Sequence, residues 1–495
     1  MPTHFRATLM ILARAAYCSI LLFAVLAFFA VMPTAAQNWG NPVWSDEFGG
    51  ALGTPIDTTK WTFESGILHV NNEVEYYCAP STNAGGCNIT KPNAYLDGDG
   101  HLIIQAIKVG SSTAPDSGSW TSARMTTNGT KQFQYGRVES RMMLPVGPGI
   151  WPAFWALGAN FDTNQFGNPV VPWPGCGEID YMENVPAVGG LGPNKVSSTM
   201  HQNSTTGLFS RGQTYTLPGS DVTSYHTYGA IWSPNMVQFY VDDPANVFFV
   251  HTATDVPAGN TYAFNHTFFL LLNLAVGGDG SWPGPFDATT PNPAIMTVDF
   301  VRVYQPSAVP APNLGTPSGI TVKAGAITGN STPLTVGETA GSGRVFFSCT
   351  SDAPDASCAV KTNDVLSAST MDFSSASSGT ATVTVTTSAN AGMAAWRFVG
   401  GSFRWVVLLS GASVSLLLLL TLCAGPMPRR SQLQVAGSIV VVTAGLLLGC
   451  AGGSSAPPPG GGTTPGNYTI TVSAYTVSGS GTTPDATIRI PLTVN

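Results

Sequence analysis

The stretch PGCGEIDYMENV, residues 174–185, places three carboxylic acids, Glu178, Asp180 and Glu183, within six consecutive positions. Acids this close repel one another, so their crowding calls for a task. Hydrolysis of a glycosidic bond is one chemistry that uses it. That reaction needs two carboxyls in different protonation states on either side of the scissile bond, about 5–5.5 Å apart when configuration is retained. The field of one carboxylate raises the pKa of its neighbour and keeps it protonated to serve as an acid. Taken alone, the same spacing also suits a solvated acidic strand edge or a calcium loop.

A regular strand sends alternate side chains to opposite faces, so 178 and 180 share a face and 183 points away. One extra residue accommodated as a β-bulge reverses that parity and turns all three carboxyls to one side. The chemistry therefore predicts a bulge between Asp180 and Glu183.

The elements that must carry this strand are legible around it. From about residue 37 to 305 the chain is dense in aromatics and broken into short alternating runs. HLIIQAI (101–107), QFQYGRVESRMML (132–144), MVQFYVDD (236–243) and MTVDFVRVY (296–304) read as strands, with Gly, Pro, Asn and Asp clusters between them. Long helical periodicity is absent. The pattern predicts an all-β sandwich or jelly roll.

Only 9% of the 495 residues are charged, and the formal net charge is -7. A chain with no basic surface is unsuited to nucleic acid and better suited to a neutral polymer. Residues 1–36 read as a secretory signal. Arg6 and Arg14 precede an apolar run from Tyr17 to Val31, and Thr34-Ala35-Ala36 supplies a small-residue cleavage site. In an exported chain the close pairs Cys78/Cys87 and Cys349/Cys358 suggest local disulfides, and Cys176 stays unpaired beside the acidic motif.

Beyond residue 305 the composition changes. Residues 306–319 form a Pro-rich linker. Residues 320–390, with TATVTVTT at 380–387, read as a small Ig-like β-module. Two apolar runs, Trp405–Ala424 and Val435–Gly449, predict a transmembrane hairpin over 403–450, with Arg429 and Arg430 in its turn. A Gly/Pro spacer (451–466) leads to further Ig-like strands over 467–495. No glutamate follows Glu338, so the chemistry belongs to the first region.

Within that region VWSDEF (43–48), NNEVEYY (71–77), TSARMTT (121–127), YGRVESRMMLP (135–145), GIWPAFWALG (149–158), CGEIDYMENV (176–185), TMHQN (199–203), YHTYGAIWSP (225–234), LLNLAVGGDGSWPG (271–284) and VDFVRVY (298–304) resemble, in order and spacing, glycoside hydrolase family 16 in its laminarinase-like branch. The resemblance implies a concanavalin A-like jelly roll of two antiparallel sheets and internal hydrolysis of β-1,3-glucan with retention. It implies Glu178 as nucleophile, Asp180 as assisting acid and Glu183 as acid/base. Mixed-linkage glucan or galactan hydrolysis, transglycosylation and non-catalytic glucan binding remain the alternative readings. The stretch ANFDTNQFGNPVVPWPG (159–175) is longer than the family usually has there and is expected to reshape one end of the cleft.

Trp151 and Trp155 share a face of one strand and are expected to stack on sugar rings, with core packing as the alternative. Arg124, Asn72 and His201 match polar sugar-contacting positions of the family, each with a structural hydrogen bond as the other reading. His226 and Trp232 read as structural, and Asn273 as either cleft or core. The resemblance further implies a structural, non-catalytic calcium at Glu47 and Asp299, whose hard oxygen ligands suit that ion. No cofactor is expected for catalysis. The expected partner is a β-glucan, with membrane association through the hairpin and an extracellular or cell-surface location.

Overall fold

The computed structural model describes residues 39–109, 118–161, 170–306, 311–338, 343–374, 376–389, 462–476 and 483–495. The leader 1–36, the hairpin 403–450 and most of the 451–466 spacer lie outside these residues. Among the described residues, no helix is long and apolar enough to cross a membrane.

The first region folds as two antiparallel-dominated sheets. A ten-stranded sheet runs through Met236–Val241, His226–Ser233, Gly136–Met143, Ala294–Tyr304 and Leu102–Lys108. All four runs expected to be strands lie here. The strand expected over 132–144 begins only at Gly136, because Tyr135 has φ 63° and Gly136 has φ 110°. A Cβ at Gly136 would stand 2.2 Å from the carbonyl oxygen of Tyr304, so a larger residue cannot enter the ladder there.

The second sheet has seven strands, in the order Gly207–Thr216, Lys195–Ser204, Glu178–Glu183, Ile150–Gly158, Phe268–Val276, Arg124–Thr126 and Thr62–Glu64. Between the sheets lies one apolar core that includes Leu102, Ile104, Val138, Phe154, Ile179, Tyr181, Met182, Trp232, Leu270, Leu272 and Val301. Phe268–Val276 reads FFLLLNLAV and is buried at every position, so its outer face is covered as well. On that face Phe269 and Leu271 pack with Leu157, Cys176 and Trp155, while Asn273 and Ala275 line the pocket of the acids.

In the C-terminal region the strands of 320–390 and 467–495 meet in one unit. A four-stranded sheet (Asn313–Leu314, Ser331–Gly337, Ser378–Thr387, Ala356–Lys361) faces a five-stranded one (Ile320–Val322, Ala486–Val494, Gly466–Tyr475, Arg344–Ser351, Thr370–Asp372). Their shared core joins Leu334, Val336, Phe347, Val383 and Val385 to Ile470, Val472, Ile490 and Leu492. The strands of 467–495 thus complete the sandwich that 320–390 begins. A small β-unit needs both sheets to bury its apolar alternate residues, which is why the distant segments combine. The expected 306–319 linker also supplies an edge strand, Asn313–Leu314, paired with Ser331–Gly337.

Both expected disulfides form: Cys78 to Cys87 and Cys349 to Cys358, the latter linking the two sheets of the sandwich. The sandwich docks on the first region through Phe346, which packs on Met236 and Val250. Beside it Arg344, 6% exposed, pairs with Asp364 at 2.6 Å and Asp372 at 3.0 Å and donates to Gln238 Oε1 at 2.8 Å.

Removing one partner of a buried ion pair leaves the other charged and unpaired, at a cost of about 3–5 kcal/mol. Arg344→Ala is therefore expected to destabilise the C-terminal sandwich by about that much. Calorimetry of the whole protein checks this: the variant should show a lowered or separate transition, and an unchanged thermogram would contradict it.

Candidate active site

The acid-bearing strand Glu178–Glu183 is entered through Gly177, whose φ of 79° belongs to the left-handed region. A Cβ there would approach Ala263 O and Phe268 Cζ to 3.0 Å, so glycine lets the chain turn tightly into the sheet. From Glu178 to Asp180 the pairing is regular: Glu178 opposes Leu157 and His201, and Asp180 opposes Trp155 and Thr199. Three residues then advance the strand from Asp180 to Glu183, while two advance each neighbour, Trp155 to Ala153 and Thr199 to Ser197. The extra residue is the expected bulge. Tyr181 and Met182, consecutive in sequence, both enter the core with Ile179. Glu178, Asp180 and Glu183 are left together on the outer face, where they line one pocket with Trp151, Trp155 and Arg124.

The neighbours differ between the two glutamates. Glu183 Oε1 accepts a hydrogen bond from Trp151 Nε1 at 3.1 Å. Glu178 Oε2 accepts one from Trp173 Nε1 at 3.1 Å, and its Oε1 stands 3.8 Å from His201 Nε2. The same His201 nitrogen lies 3.2 Å from Asp180 Oδ2, while Nδ1 is hydrogen-bonded to Ser210 Oγ at 2.6 Å. The contact to Asp180 is close but poorly aligned, and Asp180 Oδ2 is buried without an aligned hydrogen-bond donor.

Burial is the largest influence on all three acids and disfavours their charged forms. It holds Asp180 well above the usual carboxylate range. Burial, then the fields of Asp180 and Glu178, do the same to Glu183. Burial and the field of Asp180 push Glu178 up to about 8, against the opposing pull of His201, the Trp173 N–H and Arg124. The trio therefore carries fewer than three charges near neutral pH. The first charge is best placed on Glu178, which has the more cationic and donor-rich surroundings, and Glu183 is left protonated. This is the division of labour that two-carboxyl hydrolysis requires.

A cross-strand row, polar except at Ala153, crosses the sheet beside the acids: Glu183 opposes Ala153, Ala153 opposes Asn273, Asn273 opposes Arg124 and Arg124 opposes Glu64. Trp155 Nε1 donates to Asn273 Oδ1 at 2.8 Å, and Asn273 Nδ2 donates to Tyr77 OH at 3.2 Å. Arg124 lies over the Trp155 ring, 4.7 Å from its centroid, and pairs with Glu64 at 2.8 Å. Trp151, Trp155, Arg124 and His201 are thus brought to the acids, and Asn273 belongs to the pocket wall.

Asn72 is not among the pocket-lining residues; Asn71 and Glu73 are. Asn71 and Asn72 both have left-handed φ values, 53° and 57°, so the segment is a turn and strand alternation does not apply to it. Asn71 Nδ2 and Tyr77 OH each donate to Glu73 at 3.1 Å, and Asn72 meets Gly278 N with its backbone oxygen at 2.9 Å. Trp173 and Trp282 were also missed. Trp282 packs edge-on against Trp151 with centroids 5.5 Å apart, and its N–H donates to Gly189 O at 2.9 Å. The available signal for Trp173 was a tryptophan in the stretch 159–175, just ahead of the acids.

His226 and Trp232 are structural, as expected. His226 is bonded to Asp242 and Ser220, and Trp232 donates to Phe264 O at 2.9 Å in the core. Glu47 is held by Arg302 in two hydrogen bonds, of 3.0 and 2.6 Å, and Asp299 is bound by Arg141. Each carboxylate is already neutralised by its own guanidinium, so this pair does not fit a ready calcium ligand set.

A half-buried pair of unlike glutamates on a bulged strand, walled by tryptophans and an arginine, defines a glycoside-cleaving site. The profile described as Glycosyl hydrolases family 16 matches residues 86–292. The β-glucanase of Rhodothermus marinus is 35% identical over 278 residues, covering 54% of this chain and 86% of that protein. Glucan endo-1,3-beta-glucosidase A1 of Niallia circulans is 33% identical over 287 residues, 54% of this chain but only 38% of that longer protein. The solved endo-beta-1,3-glucanase of Pyrococcus furiosus is 36% identical, with 54% of this chain and 95% of that one covered and a TM-score of 0.43. The chain belongs to glycoside hydrolase family 16.

Because the pKa of Glu178 is raised in the fold, the unfolded chain releases that proton first. Stability is therefore lost as pH rises from the unfolded value, near 4.5, towards about 8. Glu178→Gln is expected to melt with the wild type below pH 4 and about 5 °C higher by pH 8. Melting curves across this range check it, and a pH-independent difference would contradict the charge crowding.

Proposed function

We propose that this enzyme hydrolyses β-1,3-glucan at internal bonds with retention of anomeric configuration. The observation that carries the reading is the bulge that turns Glu178 and Glu183 to one face in unlike surroundings. The choice of glucan rests on the named activities of the relatives and on the motifs shared with the laminarinase-like branch.

In the first step Glu183 gives its proton to the glycosidic oxygen as the Glu178 carboxylate attacks the anomeric carbon. The bond to the leaving sugar breaks and a glycosyl ester forms on Glu178. In the second step the Glu183 carboxylate takes a proton from water, water attacks the same carbon, and Glu178 departs as a carboxylate. Two inversions give net retention. Burial, with the charge on Glu178, keeps Glu183 protonated before the first step. Trp151 and Trp155 offer ring faces to sugars, while Arg124, Asn273 and Glu73 offer hydroxyl partners along the pocket wall. The chemistry draws on carboxyls and water alone.

We also propose that the chain is exported and membrane-attached through the apolar runs of 403–450. Support comes from the flanks of that insertion: Ser388 and Thr463 exchange hydrogen bonds of 3.0 and 3.1 Å, so the chain leaves and rejoins the sandwich at one edge. Two spans bring a chain back to the side it left, which this adjacency permits.

Glu178→Gln is expected to remain folded and lose hydrolysis of laminarin by at least about 10³-fold, as removal of a covalent nucleophile does. Glu183→Ala should keep slow turnover of substrates with good leaving groups and gain rate with azide, yielding a β-glycosyl azide. Proton NMR of the first product from residues 37–305 acting on laminarin, lichenan and agarose decides configuration and substrate. An α-anomer first, or normal turnover by Glu178→Gln, would overturn the mechanism.

A further inference from the structure

The segment Val170–Gly175 leads directly into the acid-bearing strand, is held to its surroundings at Val171 and closes a turn on itself at Gly175. Val171 N donates to Asn160 O at 2.8 Å, and Gly175 N donates to Pro172 O at 2.9 Å. The Val171 side chain packs on the small cluster of Leu157, Cys176 and Phe269 beneath it. Between these anchors Trp173 stands out from the surface, 45% exposed, which is unusual for so large an apolar side chain. Its N–H is directed inward, to Glu178 Oε2 at 3.1 Å, and its ring faces His201 with centroids 6.3 Å apart.

We propose that Trp173 is a positioning residue for the nucleophile: its indole N–H pins one oxygen of Glu178, so that the carboxylate presents the other to the anomeric carbon. This rests on the reading of Glu178 as nucleophile given above. A carboxylate on a strand can rotate about its last torsion, which is broad and roughly two-fold. Glu178 Oε1 is 3.8 Å from His201 Nε2, beyond hydrogen-bond reach, so the only direct donor described for the Glu178 carboxylate is Trp173. Trp151 gives Glu183 the corresponding bond, but from within the sheet. The two glutamates are thus set by two tryptophans of different origin, one in the scaffold and one in the lengthened loop.

The hydrogen bond also favours the ionised form of Glu178 over the neutral one. The other groups acting on Glu178 are Asp180 and Glu183 on its own strand, His201 on the next strand, Arg124 across the pocket and the Cys176 thiol. None of these changes when Trp173 is replaced by phenylalanine, which keeps a ring and loses only the donor.

The test compares wild type, Trp173→Phe and Trp173→Ala on laminarin, with Glu178→Gln as the inactive control. Trp173→Phe is expected to lower kcat about 10- to 100-fold with KM within about threefold, since one lost donor to a charged group is worth that order. Loss of a bond to the carboxylate raises the pKa of the nucleophile, so the acidic limb of kcat/KM should move to higher pH by at least half a unit. Trp173→Ala should show the same limb and a higher KM through loss of the exposed ring. Wild-type kcat and an unmoved acidic limb in Trp173→Phe would overturn the proposal, as would a loss confined to KM. An active wild type with an inactive Glu178→Gln keeps the nucleophile assignment standing in either case.

Discussion

The constraint on which the site depends is backbone parity at Tyr181. Two consecutive side chains, Tyr181 and Met182, must both be buried, and this is possible only if the strand takes one residue more than its neighbours. The apolar core and the acid cluster are therefore two faces of one irregularity. Burial of Ile179, Tyr181 and Met182 holds the bulge in place, and the bulge holds Glu183 beside Glu178 and Asp180. The stability of the sandwich is spent on keeping together three carboxyls that would separate if the chain were free.

Electrostatics then divides the work. The pocket is desolvated enough that none of the acids ionises easily, and the surroundings are uneven. Glu178 has His201, Trp173 and Arg124 in its favour, while Glu183 faces the fields of both other acids with only His201 and then Trp151 opposing them. The cross-strand row from Glu183 to Glu64 and the Arg124–Trp155 stack make this unevenness part of the sheet itself. A strand scaffold is stiffer than a loop, so charge and geometry are set before a sugar arrives. The exception is Trp173, carried on a loop at the Glu178 end.

The C-terminal sandwich follows a different logic. Its two sheets close only when strands from either side of residues 390–461 combine, and its docking through Phe346 and the buried Arg344 pairs is away from the acids. An insertion whose flanks meet at Ser388 and Thr463 leaves the sandwich topologically intact.

Much of the site was present in the sequence by itself. The spacing of Glu178, Asp180 and Glu183 demanded a bulge, the WPAFW pair marked a ring-lined wall, and the alternating runs marked a sandwich, because residue type and period are local properties. The tertiary structure decided what depends on chain segments meeting in space. It placed Asn71 and Glu73 at the pocket wall, at a left-handed turn that has no strand parity to read. It gave Glu47 and Asp299 to arginines that are distant in sequence or on another strand, and it joined 320–390 and 467–495 into one core. It also brought the exposed indole of Trp173 onto Glu178, a contact set by how a loop is anchored on Asn160 and Cys176.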